Sequence, residues 1–191
     1  MERIASFCVD HTTLLPGIYL SRRDGAVITW DIRMKRPNQG DYLSPAAAHT
    51  IEHLFATYAR NSRYGEHVVY VGPMGCLTGF YLLTQGLTDA EVLDLTTEAF
   101  SWMAVYDGPV PGASERECGN YRMMDLPAAR VACAEMLPVL KQLDPAHMRY
   151  KAQKTSFSNQ KLPALPFFWQ GRKFFIRFSK ACRGGGFSAG P

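Results

Sequence analysis

Hydrophobic and polar residues alternate between residues 26 and 36. Apolar side chains take every second position: Ile28, Trp30, Ile32 and Met34. The positions between them are polar: Thr29, Asp31 and Arg33. A period of two is typical of a strand with one buried face and one solvated face. The pattern therefore predicts a half-buried strand, which Pro37-Asn38 ends.

Three segments carry the signals that begin helices: Ser44-Pro45, Thr88 with Glu91, and Asp125. Short polar side chains at these positions can accept hydrogen bonds from the free backbone N–H groups of a first turn, and proline suits the first helical position. We therefore predict three long helices, which end at about Asn61, before Gly108 and at about Leu143.

Two further strands are predicted at residues 68–71 and 77–84, joined by the Gly-Pro-Met-Gly turn at 72–75. Strands that follow one another through short turns pair antiparallel, and the long helices lie apart from them in the sequence. This order predicts the α+β fold class, with an antiparallel β-sheet packed against α-helices in two layers.

Charge divides the chain near residue 148. The formal net charge is +4, but residues 1–148 carry a net charge of −5, whereas residues 149–191 carry +9 and contain no acid. We expect a main domain over residues 1–148. The basic extension over residues 149–191 is expected to be disordered, or an artefactual stretch such as a change of reading frame. The alternative is a basic-aromatic anchor for anionic membrane or nucleic acid, but we expect neither partner.

The start of the chain and its cysteines favour a cytoplasmic protein. The first residues contain no continuous apolar run, and no stretch reaches the roughly 20 apolar residues that span a bilayer. The five cysteines are widely spaced and odd in number, so a disulfide framework is not expected.

An H-x-x-E-H pattern, residues 49–53, lies inside the first predicted helix. His49 and His53 are about 40° apart and one turn from each other, on the side opposite the apolar stripe of this helix. An i, i+4 pair can direct two imidazoles at one metal ion. Glu52 lies beside them, where a carboxylate can transfer protons. The blander alternative is a solvated helix face with two chance histidines.

Catalytic metal sites of this kind have three protein ligands and an open position. Two cysteines are candidates for the third ligand: Cys118, in a turn-like segment before a glycine, and Cys76, after the Gly-Pro-Met-Gly turn. Either thiolate can bind a metal, or act as a base if a nearby cation lowers its pKa. Spacing alone leaves the two assignments open.

Seven short motifs follow one another along the chain: Ser6-Phe7, Asp10-His11, Asp31-Ile32-Arg33, Pro37-Asn38, HTIEH at 49–53, GPMGCLTGFYL at 72–82 and ECGNY at 117–121. In order and spacing they resemble S-ribosylhomocysteine lyase, the LuxS family, from about residue 4 to about residue 143. Two positions depart from the family pattern: Tyr70 stands where many members have Asp, and Met123-Met124 stands where a His is frequent.

The resemblance implies a homodimer with two active sites at the interface. It also implies one divalent metal per subunit, which is ferrous iron physiologically and often zinc in isolated protein. The metal ligands would be His49, His53 and Cys118. The proton-transfer residues would be Glu52 and Cys76. The residues in contact with substrate, some of them from the partner subunit, would be Ser6, His11 and Arg33.

The implied reaction cleaves the thioether of S-ribosylhomocysteine to homocysteine and 4,5-dihydroxy-2,3-pentanedione, the precursor of autoinducer 2. It would serve quorum sensing and the methyl cycle. The carbonyl must first migrate along the sugar through ene-diolates, until the carbon–sulfur bond is β to it and elimination can follow. Each migration needs a base that reaches several carbons in turn, which suits a thiolate assisted by a carboxylate.

Two other functions fit the H-x-x-E-H pattern. A zinc peptidase would use the glutamate to activate water and would recruit a downstream carboxylate as third ligand. A binding module would hold a structural metal with four protein ligands. Sulfur as the third ligand favours the lyase over the peptidase, and a fourth protein ligand would favour the binding module.

Overall fold

A computed structural model describes residue 7 and residues 9–151 of the 191-residue chain. Its four strands are β1 (Gly17–Asp24), β2 (Val27–Arg33), β3 (Val68–Pro73) and β4 (Gly79–Gln85). Its three α-helices are α1 (Pro45–Asn61), α2 (Asp89–Val105) and α3 (Leu126–Gln142). The strands form one sheet in the order β1-β2-β4-β3, and every neighbouring pair is antiparallel. The predicted α+β class with an antiparallel sheet is confirmed.

Strand β1 was not predicted from the sequence. Its segment, GIYLSRRD, ends in polar residues and alternates over too short a stretch to signal a strand. The strand forms because a tight turn at Gly25, with a φ of 61°, returns the chain onto β2. Pairing with β2 therefore stabilises this strand, although its own sequence pattern does not predict one.

The sheet and the helices share one hydrophobic core. The cross-strand partners Ile32 and Phe80, and likewise Trp30 and Leu82, are fully buried on one face of the sheet. The indole N–H of Trp30 donates a hydrogen bond to Oγ1 of Thr84 at 2.9 Å, so this buried polar group is paired.

Each helix begins where the capping signals predict. Ser44, Thr88 and Asp125 are the N-caps, and each side chain accepts a hydrogen bond from a backbone N–H of the first turn. Asp125 also donates its own backbone N–H to Oγ1 of Thr50 at 2.8 Å, which ties the start of α3 to α1. These bonds fix the rotation of α1, which buries its apolar stripe and leaves its histidines half-buried.

The second face of β2 is buried, which contradicts the alternating pattern. Asp31 is only 1% exposed and Arg33 only 2% exposed, although both were expected to face solvent. Tyr19 and Tyr81 lie directly opposite Asp31 on the two neighbouring strands, and Tyr150 donates a hydrogen bond to its carboxylate. The two charges tolerate burial because they pair with each other. The prediction of a half-buried strand is therefore wrong at these positions.

After α3 the chain returns to the edge of the sheet. Leu20 donates its backbone N–H to the carbonyl of Met148 at 3.0 Å, and Arg149 pairs with Asp89 at 2.7 Å. Residues 152–191, most of the expected basic extension, lie outside the described residues, so the boundary near residue 148 stays a prediction. Within the described part of the chain, no helix has the length and apolar character that a membrane crossing needs.

Candidate metal centre and reactive thiol

His49, His53 and Cys118 converge at one point of the structure. The two imidazole rings pack edge to face, with centroids 4.8 Å apart. The sulfur of Cys118, from the loop between α2 and α3, lies 3.4 Å from Nε2 of His49. One donor atom from each of the three residues lies within 4.8 Å of the others. The two nitrogens and the sulfur thus form a group that can hold a metal ion.

The donor set suits an open metal site. Bonds of about 2.0–2.1 Å to nitrogen and 2.3 Å to sulfur need donors within about 4 Å of one another. The observed spread of 4.8 Å is slightly wider than this, and all three side chains are half-buried. Across residues 9–151, this group contains no carboxylate and no fourth donor. A bound ion would therefore keep a position for water or substrate.

Backbone carbonyls orient both imidazoles. Nδ1 of His49 lies 3.0 Å from the carbonyl oxygen of Met123, and Nδ1 of His53 lies 2.7 Å from that of Pro111. A carbonyl only accepts, so each Nδ1 carries the proton and each Nε2 keeps its lone pair for a metal. Gly112 adopts a φ of 69°, and a Cβ there would lie 3.2 Å from Nδ1 of His53. Glycine at this position leaves the second contact undisturbed.

The loop that presents Cys118 is held by its own backbone. Cys118 donates its N–H to the carbonyl of Ser114 at 2.9 Å. The backbone N–H of Asn120 donates to the Cys118 sulfur at 3.4 Å. Such a bond stabilises a thiolate, which is the form of cysteine that binds metals.

The structure gives fewer contacts for the other predicted site residues, Glu52, His11 and Ser6. Glu52 is half-buried on the same turn of α1 as His53. His11 lies near the start of the described chain, where its Nδ1 is 2.9 Å from the carbonyl oxygen of Val9. Ser6 lies outside the described residues. The substrate contacts of Ser6 and His11 therefore stay predictions.

Cys76 has the surroundings of a reactive thiol. It is exposed in the turn between β3 and β4, and its sulfur lies 3.0 Å from Oγ1 of Thr78 and 3.9 Å from Nη1 of Arg33. Arg33 also donates to the Thr78 hydroxyl, which leaves the hydroxyl proton free to point at the sulfur. Partial burial alone would raise the pKa of the Cys76 thiol, but the bonds from Thr78 and the charge of Arg33 outweigh it, and the pKa is lowered.

Asp31 anchors the guanidinium of Arg33 on the side away from Cys76. Nη2 of Arg33 donates to Oδ2 of Asp31 at 2.5 Å. Although burial opposes it, the charge of Asp31 raises the pKa of Arg33, which therefore stays positive beside the thiol. The phenol of Tyr150 donates to the same Oδ2 at 2.7 Å.

Sequence reasoning missed three residues of this arrangement, Asp31, Thr78 and Tyr150, and also the backbone carbonyls that orient the histidines. Asp31 lies two residues from Arg33 on β2, so the strand period places both on one face, whereas Thr78 lies with Cys76 in the turn before β4, where that period does not apply. Tyr150 carries no such signal, because it lies in the segment predicted to be a disordered or artefactual extension. The carbonyls that orient the histidines are backbone groups and leave no mark in the sequence.

A group of three donors without a fourth protein ligand, on an α+β fold with an exposed thiol of lowered pKa, is characteristic of a metal-dependent enzyme rather than of a structural metal module. A family model described as S-ribosylhomocysteinase (LuxS) matches residues 4–145. The chain belongs to this family.

Curated relatives support the same assignment. The S-ribosylhomocysteine lyase of Clostridium acetobutylicum is 46% identical over 156 residues, which are 78% of this chain and 99% of that protein. The enzyme of the same name from Phocaeicola vulgatus is 45% identical over 161 residues, 81% of this chain and all of that protein. A third, from Borreliella afzelii, is 42% identical over 156 residues, 78% of this chain and 99% of that protein.

Proposed function

We propose that this protein is an S-ribosylhomocysteine lyase, which cleaves the thioether of S-ribosylhomocysteine to homocysteine and 4,5-dihydroxy-2,3-pentanedione, the precursor of autoinducer 2. The observation that carries the proposal is the convergence of His49, His53 and Cys118, in a chain of this family that also holds an exposed thiol of lowered pKa. The product would link the protein to autoinducer synthesis and to the methyl cycle.

The residues His49, His53 and Cys118 would hold one divalent cation per subunit, ferrous iron or zinc. Two nitrogens and a sulfur suit either ion, and metal availability in the cell decides between them. When bound, the cation supplies a Lewis acid that makes a proton next to a carbonyl easier to remove. The carbonyls of Met123 and Pro111 keep the two imidazoles in the tautomer that binds through Nε2.

Cys76 and Glu52 would transfer the protons. Cys76 is exposed and the pKa of its thiol is lowered, so it ionises more readily than an ordinary cysteine, and its thiolate can take a proton from carbon. Glu52 is half-buried on the histidine-bearing turn, where it can pass protons to and from the sugar oxygens. Once the carbonyl has migrated, loss of a proton from the α carbon expels homocysteine as its thiolate.

Ser6, His11 and Arg33 would contact the substrate. Arg33 is nearly buried, so its part is limited to the edge of the guanidinium that faces Cys76, where it also stabilises the thiolate. The family suggests a homodimer in which the active sites lie at the interface, with part of this set supplied by the partner subunit. A cytoplasmic location is part of the same proposal.

The donor set favours the lyase over the two alternatives. A peptidase with the H-x-x-E-H pattern would bring a carboxylate to the histidines, whereas the third donor here is a sulfur. A structural metal site would close with a fourth protein ligand, and residues 9–151 bring only three donors together. Both alternatives also conflict with the family match.

The decisive experiment is to incubate anaerobically purified protein with S-ribosylhomocysteine and to titrate the released thiol. We expect stoichiometric homocysteine from the native chain and none from Cys76→Ala. The matched control is Cys133→Ala, because Cys133 is a buried thiol of the hydrophobic core and no member of the three-donor group, so its removal should leave turnover in place. Native protein that is loaded with metal but releases no thiol would exclude the proposed reaction.

A further inference from the structure

Tyr150 lies past the last helix, yet its side chain reaches the functional face of the sheet. Its ring stacks on Tyr19, with centroids 5.0 Å apart and planes 11° from parallel. Its hydroxyl donates to Oδ2 of Asp31 at 2.7 Å. Stacking holds the ring in place, so the hydroxyl is directed at the carboxylate.

The carboxylate of Asp31 depends on few partners. It is 1% exposed, and both of its hydrogen bonds, from Tyr150 and from Arg33, end on Oδ2. Within the described chain, its Oδ1 is buried and has no hydrogen-bond partner. Without the Tyr150 hydroxyl, Arg33 would be the one remaining donor to this charge, and an uncompensated buried carboxylate is costly.

Arg33 divides its donors between Asp31 and the thiol side. Nη2 bonds to Asp31, whereas Nη1 bonds to Thr78 and lies 3.9 Å from the Cys76 sulfur. The guanidinium is a rigid planar fork, so a pull on Nη2 also moves Nη1. The position of the positive charge beside Cys76 therefore depends on how strongly the Asp31 carboxylate attracts the Arg33 guanidinium.

We propose that Tyr150 is a positioning residue for the Cys76 thiolate. Its hydroxyl shares the charge of Asp31, which leaves the guanidinium of Arg33 free to bond Thr78 and to face the sulfur. This inference rests on the proposed role of Cys76 in proton transfer. It makes the short segment after α3 a working part of the active site.

The charged and titratable groups around Arg33 and Cys76 come from four segments. Arg33 and Asp31 lie on β2, Tyr19 on β1, Tyr81 on β4, and Tyr150 on the C-terminal segment. Loss of the Tyr150 hydroxyl would draw Arg33 toward Asp31 and leave more negative charge uncompensated. Both effects disfavour the thiolate, so both raise the pKa of Cys76.

The test is the pH dependence of Cys76 alkylation by iodoacetamide in the full-length holoenzyme, followed by mass spectrometry of the Cys76 peptide. In Tyr150→Phe, we expect the midpoint of the rate profile to rise by about half a unit to one unit, since part of a charge-assisted hydrogen bond is lost. Tyr19→Phe is the matched control, because it removes a hydroxyl from the stacked neighbour, which donates instead to the carbonyl of Leu15. Its profile should equal that of the native protein.

A double-mutant cycle distinguishes an effect of Tyr150 that acts through Arg33 from a general loss of structure around the site. If Tyr150 acts through the fork of Arg33, Tyr150→Phe should shift the midpoint much less in an Arg33→Lys background. An unchanged profile in Tyr150→Phe, an equal shift in Tyr19→Phe, or an undiminished shift in the Arg33→Lys background would each overturn the proposal. Alkylation needs no substrate, so failure of the lyase assay would leave this outcome readable by itself.

Discussion

The sulfur of Cys118 lies 3.4 Å from Nε2 of His49, although the two residues are 69 positions apart in the chain. The contact joins the loop after α2 to His49 of α1, which lies one turn before His53. Nothing in the spacing of the cysteines distinguishes Cys118 from Cys76. The fold brings Cys118 to the histidines and sets Cys76 against Arg33 and Thr78.

This division predicts opposite behaviour for two cysteine variants. Cys118→Ala removes one of three donors, so we expect it to lose most of its metal and its activity together. Cys76→Ala leaves the donor set intact and should keep one metal per subunit while thiol release is abolished. The measurement is metal per subunit and rate on both proteins, prepared without oxygen. If Cys76→Ala lost its metal and Cys118→Ala kept it, the two roles would have to be exchanged.

Gly112 offers a test of how the His53 ring is held. Gly112→Ala should weaken metal binding by roughly 10- to 100-fold, because a methyl group 3.2 Å from Nδ1 of His53 disturbs the bond to the Pro111 carbonyl. Alanine also resists a positive φ, at a cost of about 1–2 kcal/mol in the free energy of unfolding. The readout is metal affinity in a competition titration with a chelator.

Gly25→Ala is the matched control for that variant. Gly25 has a φ of 61°, close to that of Gly112, and a Cβ there would meet nothing within 4 Å. It should therefore lose similar stability and keep native metal affinity. Equal affinity loss in both variants would assign the effect to backbone strain and not to the histidine.

The sequence was sufficient for the parts of the site that lie within single elements. Ser44 and Pro45 set the start of α1, and that start fixes the rotation that places His49 and His53 side by side. The thiol surroundings of Cys76 were not foreseeable in the same way. They depend on pairing between β2 and β4, which sets Arg33 against Gly79 and so brings its guanidinium near the turn.

The alternation of apolar and polar residues along β2 wrongly predicts that Asp31 and Arg33 face solvent, and the error has a physical reason. Alternation assigns polar residues to solvent, but a charged pair on a central strand can stay buried when each partner neutralises the other. The aromatic side chains that cover the pair, Tyr19, Tyr81 and Tyr150, come from three separate segments. No local window of sequence contains them together.

The basic extension gives a prediction for truncated chains. A protein that ends after Lys151 should keep native turnover, because it retains Tyr150 and its bond to Asp31, and the relatives align over nearly their whole length with about four-fifths of this chain. A protein that ends after Met148 should turn over several-fold more slowly, since an unshared charge on Asp31 draws Arg33 away from the thiol. Rates of thiol release on both chains, with folding checked by circular dichroism, distinguish the two. Loss of activity in the longer chain would place part of the extension in the active unit.

Thr78 should set the pH at which Cys76 reacts. The pKa of Cys76 is lowered, so its thiolate persists below the pH range of an ordinary thiol, and its alkylation rate should fall off at a lower pH than that of a free cysteine. Thr78→Ala removes a hydrogen bond to the charged sulfur and raises the pKa, so the rate at neutral pH should drop about tenfold and recover in alkali. Thr78→Ser keeps the hydroxyl and should behave like the native chain.

Burial raises the pKa of Cys133 to about 12, so that thiol should stay unmodified at neutral pH in all three proteins and report their folding. An identical profile in Thr78→Ala and Thr78→Ser would show that the hydroxyl does not control the thiolate.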